Sequence, residues 1–591
     1  MTSETKTCQN CKQEFFIEPE DFSFYEKMKV PAPTWCPECQ LRRLMAWRNE
    51  RSLYKREDDS SGKDIISIFS PDKPFTVYER GRWWSDNWDP LSYGMDYDFS
   101  KPFFVQFREL LERVPLESLF NKNAVQSDFC NHTEYLKNCY LIFGSAWNEN
   151  VLYAKGAVKC KDSLDILFGD KSELVYENIG CEECYRVLFS KYSSNCTDSS
   201  FLLDCRGCTN CFGCINLRNK SYYIFNKPHS KEDYFKKMSE FELGSFNALE
   251  KIKAECKEFF KKYPYRYAHV INSPNSTGDI LWDCKNCKWS FDITDNVENC
   301  KYLVNGGYNV KDSYCGYGIG VGELMYEVID TGFGVSRVFS AIVFRNGTDA
   351  SYVFDCHSSS HLFGCIGLRN KQYCILNKQY SKEQYEELLP RIKEHMNSVP
   401  YADSLGRTYK CGEFFPPELS PFAYNETVAQ EYYPLTKEEA EKQGYKWKDL
   451  EPRNYQITKL PDNLPDHIKD VTGDILNQII QCAHNQECND QCTQAFKIIQ
   501  DELQFYRRMS LPLPRLCPNC RHYERLKQRN PLKLWHRKCQ CGGPSSDNSA
   551  YINTISHLHG QKHCLNEFET SYAPERPEII YCEECYNKET Q

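Results

Sequence analysis

The chain reads as a mainly β protein: a tandemly duplicated parallel β-solenoid core with a capping helix after each copy, flanked by a small cysteine-ligated module at either end. Three observations carry this reading. A long segment of the middle recurs at a fixed shift, short apolar clusters follow one another at near-even steps, and two four-cysteine patterns match across almost the whole chain.

The N-terminal pattern pairs Cys8/Cys11 with Cys36/Cys39, and the C-terminal one pairs Cys488/Cys492 with Cys517/Cys520. The inner cysteine lies 25 residues before the next pair in both. Residues between them also correspond: Phe15 with Phe496, Ile17 with Ile498, Phe24-Tyr25 with Phe505-Tyr506, Met28 with Met509, and Pro31/Pro33 with Pro512/Pro514. Cysteine pairs at such spacing close a tetrahedral Cys₄ zinc site, each pair on a tight knuckle. Both ends are therefore expected to be zinc-ribbon or treble-clef-like modules. A zinc site of this kind holds a fold together without naming an activity.

The repeat organises the middle. Phe212–Tyr234 recurs as Phe363–Tyr385 at a shift of 151, with 16 of 23 positions identical, and Ser172–Glu177 recurs as Gly322–Glu327. Within each copy, clusters rich in Tyr, Phe, Val and Ile begin mostly 10 to 13 residues apart and are bounded by Asn, Asp, Gly, Lys or Ser. That pattern predicts short strands separated by turns. It suits a parallel solenoid with two strands per coil of about two dozen residues and asparagines stacked at the turns; a meandering β-sandwich is the competing arrangement. Ser230 and Ser381, each followed three residues later by Asp233 or Gln384, start the capping helices. The resulting segments are an N-terminal zinc module (1–118), solenoid units with their capping helices (119–268 and 269–400), a Pro- and Tyr-rich linker (401–475) with a helix near 437–443, and a C-terminal double zinc module (476–591).

The second C-terminal zinc draws on Cys564, Cys582 and Cys585, with the fourth ligand open among Cys541, His559 and His563. About three Zn²⁺ per chain are expected. Ser70–Arg82 aligns with Ala573–Cys585 at a shift of 503, so that Glu79 and Arg82 stand opposite Cys582 and Cys585, and Ser61 opposite Cys564. The N-terminal copy therefore lacks this second site. The run Cys205, Cys208, Cys211, Cys214 has iron–sulfur-like spacing, but its counterpart is Cys356, Ser359, Leu362, Cys365, so small buried apolar thiols are expected there. Cys181/Cys184 and Cys284/Cys287 are accessory metal candidates.

Bulk properties point to a cytoplasmic protein. The 591 residues allow three or four domains, the polar start lacks an apolar signal region, and 33 cysteines without a signal are expected to be reduced and partly metal-bound. A net charge of −9 argues against a nucleic-acid-coating protein, so any such contact needs a local patch. Candidates follow the cysteine knuckles: Arg42, Arg43, Arg48 and Arg51, and Arg521, Arg525, Arg529 and Arg537, interleaved with aromatics. Leu-Arg-Asn-Lys, at 217–220 and 368–371, reads as a turn at the end of each solenoid. P-loop, dinucleotide-binding and HExxH patterns are absent.

The stretches CPECQLRRLMAWRNERSLYKR, WWSDNWDP, CPNCRHYERLKQRNPLKLWHRKC and FETSYAPERPEIIYCEECY resemble a group of uncharacterised, cysteine-rich, multi-zinc-ribbon proteins of reduced-genome, candidate-phylum bacteria. The resemblance covers nearly the whole chain. It implies zinc ribbons around a repetitive core and a cytoplasmic location, with no assigned activity; where members often carry a further cysteine pair, this chain has Asp58/Ser61 and Glu79/Arg82. The expected function is a zinc-binding, non-catalytic interaction or scaffold protein with a protein partner and no membrane association. The alternatives are a nucleic-acid- or ribosome-associated factor acting through the basic stretches, and a carbohydrate-active enzyme on the solenoid.

Overall fold

The computed structural model describes residues 2–449 and 455–590, so part of the linker stretch, 450–454, lies outside the described residues. Its centre is a β-solenoid in two units. In the first, parallel partners are 12 residues apart: Asn121 with Thr133, Thr133 with Ser145, Glu149 with Lys161, Thr197 with Thr209. In the second the step is 13 (Phe291 with Val304, Lys301 with Tyr314) or 12 (Tyr314 with Tyr326). One coil thus takes 12 or 13 residues, half the length expected from the sequence, because each apolar cluster marks a whole coil and not one strand of it.

The backbone explains how so short a coil closes. From Asn123 to Phe225 every third residue has positive φ. Each such residue turns a corner, and four corners complete twelve residues. The triplets therefore have fixed roles: one residue points inward, the next pairs with the neighbouring coils, and the third turns in the left-handed conformation. A non-glycine residue there costs roughly 1–2 kcal/mol, least for Asn and Asp. Asn and Asp take many of the corners, and some stack as ladders: Asn138 donates to Asn150 (3.2 Å) and Asn150 to Asp162 (2.7 Å); Asn296 donates to Asn309 (2.7 Å).

The interior of so narrow a coil is filled mainly by Cys, Ser, Ala, Val, Leu and Ile, and the ring of Phe344 is accommodated beside Gly347. Ser145 donates to the Phe143 carbonyl (2.8 Å) and accepts the Ala157 N–H of the next coil (3.0 Å). Cys205, Cys208, Cys211 and Cys214 occupy successive inward positions of one circuit and are fully buried. Their thiols donate to carbonyls of their own and the following coil, as Cys205 does to Leu203 (3.6 Å) and Cys214 (3.5 Å).

The two units lie side by side and run in opposite directions. Near the start of the first, His132 and Glu134 pair with Asp330 (2.7 Å) and Arg345 (2.7 Å) of the second. At the other end Tyr192 packs on His269, with ring centroids 4.5 Å apart. The helices Lys231–Met238 and Phe246–Phe260 carry the chain back between the units. Each unit closes alike. Asn226 and Asn377 take the place of a further coil, accepting the N–H of Ile215 (3.0 Å) and Ile366 (2.8 Å) and donating back to the same residues' carbonyls. Gly213 and Gly364 turn equivalent corners at φ +63° and +67°, where a Cβ would meet the Phe225 and Phe103 rings at 2.8 Å. Arg218 and Arg369 leave these coils outward but are covered, one by Asp204 (3.0 Å), the other by the Trp83 ring (5.0 Å).

The terminal modules obey the same approximate two-fold relation. The helix Pro19–Met28 sets Phe24 and Tyr25 against Tyr326 of the second unit; the helix Gln500–Met509 sets Phe505 and Tyr506 against Tyr176 of the first. Tyr176 and Tyr326 are themselves equivalent in the duplication. Among the described residues no helix is long and apolar enough to cross a membrane.

Buried charge joins these parts. Lys155 of the first unit, 1% exposed, pairs with Glu50 of the N-terminal module (2.9 Å) and with Glu431 of the short helix Val428–Tyr432. Glu431 also meets His522 of the C-terminal module (3.2 Å). Burial opposes the Lys155 charge, but the two carboxylates outweigh it and raise its pKa; burial likewise opposes ionisation of Glu431, which Lys155 and then His522 hold well below the usual carboxylate range. Lys155→Met leaves two carboxylates buried without their cation and is expected to cost about 3–5 kcal/mol, read as a lower urea midpoint; a loss under about 1 kcal/mol refutes the cluster's structural role.

His132 adds a pH dependence. Burial, then Arg48, depress its pKa below the ordinary 6.5, against the pull of Asp330. The native ring thus takes up its proton at lower pH than the unfolded ring, which begins to do so near pH 6.5. Its contribution to stability is therefore complete above that pH and falls as pH drops below it. His132→Gln is expected to flatten the slope of the thermal midpoint between pH 6.5 and 5, and an unchanged slope contradicts this.

Candidate metal centres

Among the described residues three quartets of cysteine sulfur converge, each with ligand atoms within 4.8 Å of one another: Cys8/Cys11/Cys36/Cys39, Cys482/Cys492/Cys517/Cys520 and Cys539/Cys564/Cys582/Cys585. Sulfur–sulfur separations are 3.8 Å for Cys11–Cys36 and Cys482–Cys520 and 3.9 Å for Cys564–Cys582. These are far longer than the ~2.05 Å of a disulfide. They match the edge of about 3.8 Å in a tetrahedron with metal–sulfur bonds of about 2.3 Å. The residues present therefore fit a four-coordinate thiolate-bound metal ion.

Local structure builds the first two quartets the same way. In the N-terminal module the hairpin Glu4–Thr7/Glu14–Ile17 presents Cys8 and Cys11, and the helix Pro37–Met45 starts at Cys36 and carries Cys39 in its first turn. In the C-terminal module the pairing Ile480–Gln481/Ala495–Phe496 presents Cys482 and Cys492, and the helix Pro518–Leu526 carries Cys517 and Cys520. Cys482, not Cys488, stands where Cys8 does: the Cys36 N–H points to Cys8 Sγ and the Cys517 N–H to Cys482 Sγ, each at 3.2 Å. The sequence spacing selected Cys488 because the loop between the first two ligands, only Gln9-Asn10 at the N-terminus, here runs from Ala483 to Gln491 and contains a cysteine of its own. Cys488 faces Cys520 at 3.8 Å and groups with it, His484 and Asp490 in a second ligand set.

The third quartet takes Cys539 where the sequence had left Cys541, His559 and His563 open. Its N-terminal counterpart survives without thiols. The hairpin Trp535–Lys538/Glu567–Thr570 corresponds to Tyr54–Glu57/Asp64–Ser67, which places Asp58 opposite Cys539. There Ser61 donates to Asp58, the Glu79 N–H reaches Asp58 (2.9 Å) and the Arg82 N–H reaches Glu79 (3.2 Å). In the cysteine version the Cys582 N–H reaches Cys539 (3.2 Å) and the Cys585 N–H reaches Cys582 (3.5 Å). Hydrogen bonds among Asp58, Ser61 and Glu79 thus hold the shape that four thiols hold in the other copy. Phe15 and Phe496 stand 481 residues apart, and the same offset pairs Tyr54 with Trp535 and Asp58 with Cys539, a signal the sequence carries. Cys541 joins His557, His559 and Cys585 instead, while His563 pairs with Asp547 (2.6 Å).

The remaining cysteine candidates are solenoid interior. Cys181, Cys184, Cys284 and Cys287 are buried and donate to carbonyls, as Cys181 does to Ser190 (3.3 Å) and Cys284 to Trp282 (3.4 Å). Among the described residues neither they nor the Cys205–Cys214 run belong to a converging ligand group.

The basic stretches after the knuckles turn inward. Arg43 is fully buried between Glu327 (2.7 Å) and Glu413 (3.6 Å), and burial pushes Glu327 up to about 7 despite Arg43. Arg48 pairs with Glu50 (2.7 Å) and Asp330 (3.7 Å), and Arg51 lies over the Phe143 ring (4.5 Å). Arg521 and Arg525 share Asp165 (3.2 and 2.8 Å), and Arg529 meets Asp292. The first five of these are buried, and the Arg529 side chain is 8% exposed. Arg42 and Arg537 are half-buried, held by Glu38 (2.8 Å) and by Gln540 (3.0 Å). Arg43, Arg48, Arg51, Arg521, Arg525 and Arg529 thus bridge module and solenoid, while Arg42 and Arg537 are held by neighbours outside it.

No family model and no curated protein matches the chain. Among solved structures, a putative acetyltransferase from Desulfovibrio desulfuricans G20 aligns with 47% of this chain and 83% of its own at 8% identity and a TM-score of 0.08, a likeness too weak to carry an argument about fold or activity.

Proposed function

We propose that the protein is a zinc-stabilised, non-catalytic interaction scaffold in which the paired solenoids present a protein-binding surface and the cysteine modules lock them together. Zinc is favoured by the donors: four soft thiolates per quartet at tetrahedral separations, a closed set of the kind that serves structure. The observation that carries the scaffold reading is a stripe of exposed apolar side chains on one edge of the second unit. Trp282, Tyr308, Val321 and Phe333 are 38, 54, 40 and 53% exposed. Their coils succeed one another through the bonds Asp295 N–H to Trp282 (3.1 Å), Tyr308 N–H to Thr294 (3.1 Å) and Gly334 N–H to Val321 (2.9 Å). Arg345 covers the Phe333 ring (5.3 Å) and pairs with Glu134, whose carbonyl takes the N–H of exposed Trp147 (2.9 Å) in the first unit. Exposed aromatic and apolar side chains in successive coils, with Asp295 and Arg345 beside them, are the kind of surface on which protein partners are bound, with aromatics as anchors. The nucleic-acid alternative has little to stand on once its arginines are spent in internal pairs.

Two outcomes follow. Cys482→Ser is expected to release one zinc ion per chain and lower the thermal midpoint as far as Cys517→Ser does, since bound metal supplies folding energy, while Cys488→Ser leaves the midpoint close to wild type. Equal losses at 482 and 488 exclude the quartet. In crosslinked affinity purification with and without nuclease, Trp282→Ser/Tyr308→Ser/Phe333→Ser should lose the proteins that the wild type retains after nuclease, with the thermal midpoint unchanged. Retention that disappears on nuclease treatment of the wild type overturns the protein-scaffold reading.

A further inference from the structure

The C-terminal module contains a second ligand set that shares a sulfur with the third quartet. Cys541, His557, His559 and Cys585 bring their ligand atoms within 4.8 Å of one another, and Cys585 also belongs to Cys539/Cys564/Cys582/Cys585. We propose that this module holds a dinuclear zinc centre bridged by the Cys585 thiolate, with one ion bound by four sulfurs and the other by two sulfurs and two imidazoles. The proposal rests on the metal reading of the quartets and adds an ion to it.

The geometry fits a second tetrahedral ion. Metal–sulfur and metal–nitrogen bonds of about 2.3 and 2.0–2.1 Å set a sulfur–nitrogen edge of about 3.6 Å. The separations are 3.6 Å from Cys541 Sγ to His557 Nδ1 and 3.4 Å from Cys585 Sγ to His559 Nε2. Each imidazole is also held at its far nitrogen: His557 Nε2 by Glu589 (2.7 Å), a pair 1% exposed on both sides, and His559 Nδ1 by the Lys562 carbonyl (2.6 Å). Metal-binding histidines are oriented in this way, the acceptor fixing the tautomer so that the facing nitrogen offers its lone pair. The thiolates have their own donors: Asn553 reaches Cys541 Sγ (3.1 Å) and Asn566 reaches Cys582 Sγ (3.4 Å). A thiolate sulfur has lone pairs enough for two ions.

The segment between Cys541 and Glu567 explains what the second ion is for. It contains no helix or extended strand, and it exposes Ile552, Ile555, Leu558 and Leu565 at 76, 43, 86 and 89%. Loops of this length without structure of their own need another constraint to stay ordered. Apolar burial supplies little here, so ligation at His557 and His559 is the clamp, and Cys564 in the neighbouring quartet fixes the far end.

The test uses the full-length chain loaded with ¹¹³Cd²⁺ as the probe, followed by native mass spectrometry and ¹¹³Cd NMR. The expected wild-type spectrum contains two mutually coupled resonances, one in the all-sulfur region and one in the mixed sulfur–nitrogen region, with the coupling passing through the shared thiolate. Cys541→Ser/His557→Asn should lose one ion per chain and the mixed-ligand resonance while keeping the all-sulfur one; loss of hydrogen-exchange protection should be confined to 542–563. An unchanged ion count in that variant, or a wild-type spectrum without the coupled pair, overturns the dinuclear centre. The quartet reading would stand in either case as long as the all-sulfur resonances remain, whereas absence of every cadmium signal removes both.

Discussion

A coil that closes in twelve residues must turn four times, and the left-handed residue at every third position is the constraint on which this structure depends. It fixes what each residue of a triplet can be. The inward side chain must fit a narrow interior; the ladder residue must be free to pair on both sides; the corner residue must tolerate positive φ. The many corner residues other than glycine, Asn and Asp, such as Phe168, Leu174 and Phe189, carry a conformational cost. That cost is offset by hydrogen bonds repeated from coil to coil and by packing of the same side chains under the flanking modules, where Phe189 and Leu174 are buried.

The second level of order is electrostatic. Each solenoid unit leaves acidic groups facing the module that covers it: Asp165 for Arg521 and Arg525, Glu327 for Arg43, Asp330 for Arg48. Charges taken out of water in this way gain little net stability but penalise misdocking heavily, because a mismatched partner leaves one of them unpaired. The antiparallel pairing of units, the cross-docking of N-terminal module on second unit and C-terminal module on first, and the Lys155 cluster at the centre are consistent with one another. The short helix Val428–Tyr432 belongs to this assembly as much as the repeats do, since it delivers Glu431.

The candidate metal centres are subordinate to that architecture. Each sits in a module with little core of its own, and the comparison of Cys539/Cys564/Cys582/Cys585 with Asp58/Ser61/Glu79/Arg82 shows one backbone frame held by thiols in one copy and by hydrogen bonds in the other. The N-terminal copy can dispense with the thiols because it is better buried, with Phe69, Phe75 and Val77 packed in the main core, whereas the C-terminal copy trails an exposed loop.

Much of this was legible in the sequence by itself. The duplication named two equivalent units and their identical endings, down to Asn226 and Asn377. The paired cysteines named the terminal modules, and the absence of matching thiols at 359 and 362 identified the Cys205–Cys214 run as interior. Those conclusions rest on local spacing and internal comparison, which a sequence carries directly. Tertiary structure decided the rest. The triplet corner rule was hidden because positive φ leaves no fixed residue signature when Phe, Leu or Lys can occupy it. Cys482 was hidden by a longer ligand loop with its own cysteine, and the bridging position of Cys585 by ligands spread from 539 to 585. Arg43, Arg521 and Arg525 look like part of a basic surface in one dimension; docking against Glu327 and Asp165, more than a hundred residues away, makes them interior, because the partner of a buried charge is set by the fold and not by its neighbours in the chain.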